Sequence, residues 1–215
     1  MDHFKKLFTF RQTLFLLLLL ALAILSFFFL DKAIALTIAP TAKVYRPLFK
    51  TLSLCIFPPL QLLFWITLFL IARLSQSKRH WTLPLFEISA AQGLSVACVR
   101  LSKVVIGRAR PDIFLKKGIF GIYGPHLDSH YHSFPSGHTI AAFTLATSLS
   151  FLYPRYKVAF YLLAFFLSSS RVFLADHYCS DVLGTACIGM GIATLTHTLV
   201  EKITGSNKKY THENF

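Results

Sequence analysis

The sequence predicts an all-α fold: a bundle of six membrane-spanning helices. Two observations carry this. Of 215 residues, 54% are hydrophobic and only 14% are charged, whereas a soluble domain has about a quarter of its residues charged. The apolar residues also fall in long blocks separated by short polar, basic segments, and such blocks read as spans rather than as one larger core. One integral domain over residues 1–215 is expected. Its core runs from about 50 to 200, and a polar, basic tail runs from Glu201 to Phe215.

The first block, residues 13–30, is long enough to span and follows Lys5, Lys6 and Arg11. It resembles a signal peptide with a cleavage site near Ala33-Ile34-Ala35. The run is long for that role and Asp31-Lys32 intervene, so it is read as an uncleaved span. A loop is expected over 31–50. The second block, 51–72, contains Pro58-Pro59, which remove two backbone donors and predict a kink or a late start. A connecting loop covers Ser75 to His80. The third block, 83–102, contains Glu87, read as a structural carboxylate facing protein or water. Residues 103–137 are the longest polar stretch. Blocks at 138–153, 158–174 and 178–199 complete the six.

Six spans put both termini on one side and the loops 31–50, 103–137 and 175–177 on the other. Once Lys103, Arg110 and Arg171 are set aside, Lys and Arg favour the terminal side, which predicts a cytoplasmic N-terminus. The net charge of +13 suits anionic head groups and phosphate better than nucleic acid, because the cations sit between apolar blocks. Cys55, Cys98, Cys179 and Cys187 show no metal-like or redox-like spacing and read as small buried hydrophobes.

Three clusters carry the chemistry. Lys103 and Arg110 are two helical turns apart, so they share a face if the third helix continues to Pro111. Two cations on one face suit a multiply charged phosphate, and Arg adds a planar fork. Pro135-Ser136-Gly137-His138 opens the fourth helix. Ser136 is placed to cap it, Gly137 allows close backbone approach, and free N–H groups there attract an anion. His138 stands beside that anion, placed to donate a proton. His177 and Asp181 are i,i+4, so a carboxylate on one ring nitrogen leaves the other as nucleophile. Arg171 precedes them closely, and an unpaired Arg in a phenylalanine-rich span is costly. Each cluster alone also fits a blander role: a cationic flank, a Ser-capped helix, a capping Asp beside an interfacial His. Arg100 and Arg108 are read as flank residues.

Jointly, Lys103 with Arg110-Pro111, Pro135 to His138, and Ser170-Arg171 with His177 and Asp181 resemble the tripartite signature of the type-2 phosphatidic acid phosphatase superfamily. Every position and internal spacing matches. The resemblance covers roughly residues 50–200. It implies a core like that of the acid phosphatases and vanadium haloperoxidases. It also implies that His177 forms a phosphohistidine, that Asp181 orients it, and that His138 protonates the leaving group. Lys103, Arg110, Ser136, Gly137 and Arg171 would hold the phosphate oxygens. Fixed cations then do what metals do elsewhere, so no metal or other cofactor is expected. His126, His130 and His132 lack partner spacing for a metal and read as solvated or substrate-rim residues. Asp176 is expected to face away from His177.

The resemblance implies a metal-independent phosphatase acting on a lipid phosphomonoester or pyrophosphate. It would lie in a bacterial inner membrane with its active site towards the periplasm. Phosphatidylglycerophosphate, undecaprenyl pyrophosphate and lipid A are the substrate candidates. Lys116 and Lys117 point to a highly anionic head group, favouring lipid A or a pyrophosphate. The same residues would serve a lipid phosphotransferase. A haloperoxidase shares the anion pocket, but the spans argue against it. A non-catalytic lipid-binding or transport protein is the remaining alternative. The oligomeric state is not readable.

Overall fold

A computed structural model describes residues 10–205; the flanking Lys5 and Lys6 and the tail beyond 205 lie outside the described residues. The chain is helical. Helix α1 (Phe10–Leu25) runs through a π-helical segment (Ser26–Leu30) into α2 (Asp31–Leu54). Then follow α3 (Pro58–Leu74), α4 (Thr82–Ile106), the short α5 (Pro111–Lys117), α6 (Gly137–Leu152), α7 (Lys157–Phe173) and α8 (Cys179–Thr204).

Among the described residues, four segments are long and apolar enough to cross a membrane: Gln12–Ala42, Val44–Leu74, Gln76–Ile106 and Cys179–Thr204. They correspond to the first, second, third and sixth expected spans. The fourth and fifth blocks, α6 and α7, are shorter, at 16 and 17 residues. The chain is a multi-pass membrane protein. α1, α3 and α7 show leucine and phenylalanine outward, as in Leu17, Leu63 and Phe166. Such faces suit lipid, where no water competes for them.

The inside of the bundle is built from small residues. α6 lies at its centre, packed on α4, α7 and α8. Ala142 and Ala146 of α6 meet Ala164 of α7 and Ala186 and Met190 of α8, with Phe143 filling the gap. Small side chains let backbones approach, and in lipid that closeness is what holds helices together. Gly189 marks the tightest point: a Cβ there would sit 2.9 Å from the Ile140 carbonyl oxygen.

Two expectations are corrected. Residues 31–50 are not a loop but most of α2, which carries Pro40 and Pro47 inside it. Each proline removes one hydrogen bond, while the alanines and leucine around Pro40 favour helix. Asp31, Ala35 and Ser53 are buried, near the two ends of α2. Between them α2 is largely exposed. The cysteines are unpaired, and against the expectation of buried hydrophobes Cys55 is exposed and the other three are half-buried. The prolines at 58–59 do give a late helix start: α3 opens on them after the break at 55–57.

Candidate active site

Lys103 sits in the last turn of α4. The helix stops at Gly107, not at Pro111. Gly107 adopts φ +57°, and a Cβ on it would lie 1.6 Å from the Gly124 carbonyl oxygen, so only glycine fits. The chain then runs extended through Arg108 to Arg110, bonding through Ala109 N–H to Gly121 (3.0 Å) and through Arg110 N–H to His130 (2.9 Å). Pro111 opens α5. Lys103 and Arg110 therefore do not share a helix, yet they line the same cavity.

That cavity, of about 200 Å³, is also lined by Gly137 and His138 from α6, Arg171 from α7 and His177. Its remaining wall is apolar, from Phe57, Pro58, Pro59, Val96, Val99 and Ile140, with Arg100 at its edge. Thus six of the eight expected site residues surround one space. The other two, Ser136 and Asp181, lie behind it with no exposed surface.

Ser136 holds the N-cap position of α6 but makes no side-chain cap. Its N–H donates to Thr185 Oγ1 (3.0 Å), and its Oγ accepts from Thr139 Oγ1 (3.0 Å). These contacts tie the start of α6 to α8.

His177 sits in the turn between α7 and α8. Ala175 takes φ +54°, a conformation costly for a residue with a Cβ. This turns the chain so that the Asp176 and His177 N–H groups both reach the Arg171 carbonyl, at 3.1 and 3.3 Å. His177 Nδ1 lies 2.6 Å from the Ser133 carbonyl oxygen. A carbonyl only accepts, so Nδ1 carries the proton and Nε2 keeps its lone pair. Burial, with Arg110 and Lys103 nearby, holds the imidazole pKa below its ordinary value against the opposing pull of Asp181. The ring is therefore neutral at neutral pH.

Asp181 does not bond His177 directly; its Oδ2 is 3.7 Å from Nδ1. It accepts from Ser133 Oγ (2.6 Å), from the Tyr178 N–H (2.9 Å) and from Arg108 Nη1. Through Ser133 it is linked to the carbonyl that meets the ring. Sequence reasoning missed Ser133, because a backbone carbonyl leaves no mark on residue type. It also misread Arg108, which is buried between Asp31 and Asp181 rather than flanking a span.

The cations differ in how far they are committed. Arg171 Nη2 bonds Asp176 at 2.6 Å, so Asp176 faces Arg171 rather than His177. The Nε atoms of Arg110 and Arg171 are buried with no partner. Buried donors left open are expensive unless an anion arrives. The three loop histidines are each engaged elsewhere. His130 pairs with Asp112 (2.9 Å), His132 Nε2 meets the His126 carbonyl (2.8 Å), and His126 stacks on Tyr131. Lys116 is exposed and near Asp112 (3.9 Å), and Lys117 is exposed.

A family model described as the PAP2 superfamily matches residues 84–204. Over 98 residues the chain is 44% identical to a lipid A 1-phosphatase of Rhizobium johnstonii, covering 45% of this chain and 39% of that protein. It is 31% identical over 141 residues to a lipid A 1-phosphatase of Porphyromonas gingivalis, covering 62% of this chain and 28% of that protein. The matched region is thus well under half the length of these relatives. A transmembrane PAP2-type phosphatidylglycerolphosphate phosphatase from Bacillus subtilis has the same fold. The TM-score is 0.53 at 19% identity, over 93% of this chain and 96% of that one.

Proposed function

The chain belongs to the PAP2 superfamily, and on that premise we propose that it is a membrane phosphatase working through a phosphohistidine on His177. One observation carries this: His177, His138 and three cations line a single cavity, with buried guanidinium nitrogens still open.

In the first step the Nε2 lone pair of His177 attacks phosphorus. The P–N bond forms as the bond to the leaving oxygen breaks, and His138 gives that oxygen a proton. Lys103, Arg110, Arg171 and the Gly137 backbone hold the equatorial oxygens as charge spreads over them. In the second step His138 takes a proton from water, whose oxygen attacks phosphorus. The P–N bond breaks and phosphate leaves. The cations supply the charge stabilisation, so the reaction needs no metal.

The apolar side of the cavity suits a lipid, and the relatives named lipid A 1-phosphatases favour a lipid A phosphomonoester. Undecaprenyl pyrophosphate and phosphatidylglycerophosphate are the competing substrates. Six spans with the cavity opening to the periplasm of a bacterial inner membrane complete the reading.

The test is a phosphate-release panel with purified protein in detergent and EDTA, offering these three lipids and phosphatidic acid. Retained activity in EDTA, highest on lipid A, is expected. A strict metal requirement sinks the mechanism. Transfer to a lipid hydroxyl without free phosphate makes the protein a phosphotransferase instead.

A further inference from the structure

We propose that Asp31 and Arg108 are positioning residues for His177, so that the first membrane helix is part of the catalytic machinery rather than an anchor. The inference rests on the phosphatase reading above. Neither residue belongs to the three-part signature, and Asp31 lies outside the family match at 84–204.

Arg108 is 3% exposed. Its Nη2 donates to Asp31 Oδ2 at 2.6 Å and its Nη1 to Asp181 Oδ1. The rings of Phe27 and Tyr178 each lie 4.8 Å from the guanidinium carbon, so both Nη atoms are paired and rings lie against the cation, while its Nε, like those of Arg110 and Arg171, has no partner. Asp31 is as fully committed. It accepts from Ser26 Oγ (2.8 Å), the Ser180 N–H (3.0 Å), Ser180 Oγ and Arg108. Ser26 begins the π-helical segment that Asp31 ends, so the local unwinding of the helix turns this carboxylate inward.

A continuous buried path follows: Asp31, Arg108, Asp181, Ser133, then Nδ1 of His177. Neither Asp31 nor Arg108 lines the main cavity, so neither reaches the substrate. Their effect is on the nucleophile. Two carboxylates against one guanidinium leave one net negative charge behind His177. That charge favours the cationic ring formed on attacking phosphorus, opposing the effect of Lys103 and Arg110. Arg108 also fixes Asp181, and Asp181 fixes the Ser133 carbonyl that sets the tautomer.

The experiment uses the full chain in detergent, with thermal unfolding as the check on folding. Asp31→Asn keeps the shape and removes the charge. We expect kcat to fall about ten- to hundred-fold with KM within twofold. The acid limb of the pH profile should move to lower pH, because His177, facing Asp181, Arg110, Lys103 and His138, loses negative charge behind it. Arg108→Lys should retain more activity than Arg108→Gln.

A folded Asp31→Asn protein with unchanged kcat overturns the proposal, as does a rise in KM alone. Should Asp31→Asn not fold, Ser180→Ala carries the test, since it frees one Asp31 contact and removes no charge. A several-fold drop in kcat at constant KM supports the role, and unchanged kcat refutes it. A wild-type protein inactive on every lipid would instead refute the phosphatase reading, which separates the two failures.

Discussion

Each end of the bundle holds a histidine beside a carboxylate, buried at one end and half-buried at the other, and α4 and α8 contribute to both. At one end His177 lies near Asp181. At the other, His197 Nδ1 bonds Glu87 Oε1 at 2.9 Å, its Nε2 lies 3.4 Å from Glu201, and its ring stacks on Phe151 at 4.1 Å. The residue types are nearly the same. What differs is what remains unused. Both nitrogens of His197 face carboxylates, so it ties α8 to α4 and has nothing left to offer. His177 spends one nitrogen on a carbonyl and keeps the other open beside cations that lack a full set of partners.

The comparison can be broken or sharpened in four ways. His177→Ala should lower kcat at least about a thousand-fold, since in the proposed mechanism His177 is the group that forms the covalent intermediate. Phosphate release measures this, and residual activity near wild type would make the two histidines equivalent. Next, Lys103→Ala or Arg110→Ala should each cost about 100- to 1,000-fold in kcat/KM, the usual loss for one preorganised donor to transition-state charge.

The third test is pH. An imidazole of ordinary pKa 6.5 loses about tenfold of its neutral form at pH 5.5. Because His177 is depressed, kcat/KM corrected for substrate ionisation should fall much less there. The same depression adds stability that is fully present above pH 6.5 and is lost as pH drops towards the folded-state value. The smallest effect on catalysis belongs to His197→Ala. It should leave kcat within twofold while costing about 1–3 kcal/mol, because Glu87 stays buried with one partner fewer. Thermal unfolding in detergent reads that loss. A large drop in kcat would mean that the far end takes part in catalysis.

Much of the site was legible because its cues are local. The i,i+4 spacing of His177 and Asp181, the Ser-Gly-His helix start and the long apolar blocks each follow from a few neighbouring residues. Glu87 was legible as structural, but its partner was not, since His197 is 110 positions away. Arg108 and Arg110 look alike in sequence and meet opposite fates: one is locked between two carboxylates and the other is open to the cavity. No local rule separates them. The helical α2 lies where a loop was expected, and each of its two prolines removes only one hydrogen bond.

The sequence by itself determined the candidate site residues and most of the helices around them, because periodicity, capping chemistry and apolar run length act over a turn or two of chain. Only the tertiary structure decided which groups are free to react. Asp31 reaches Ser180 across 149 positions, and Ser133 holds His177 across 44. Whether a buried donor or acceptor is satisfied depends on neighbours brought together by packing, and no stretch of chain contains that information.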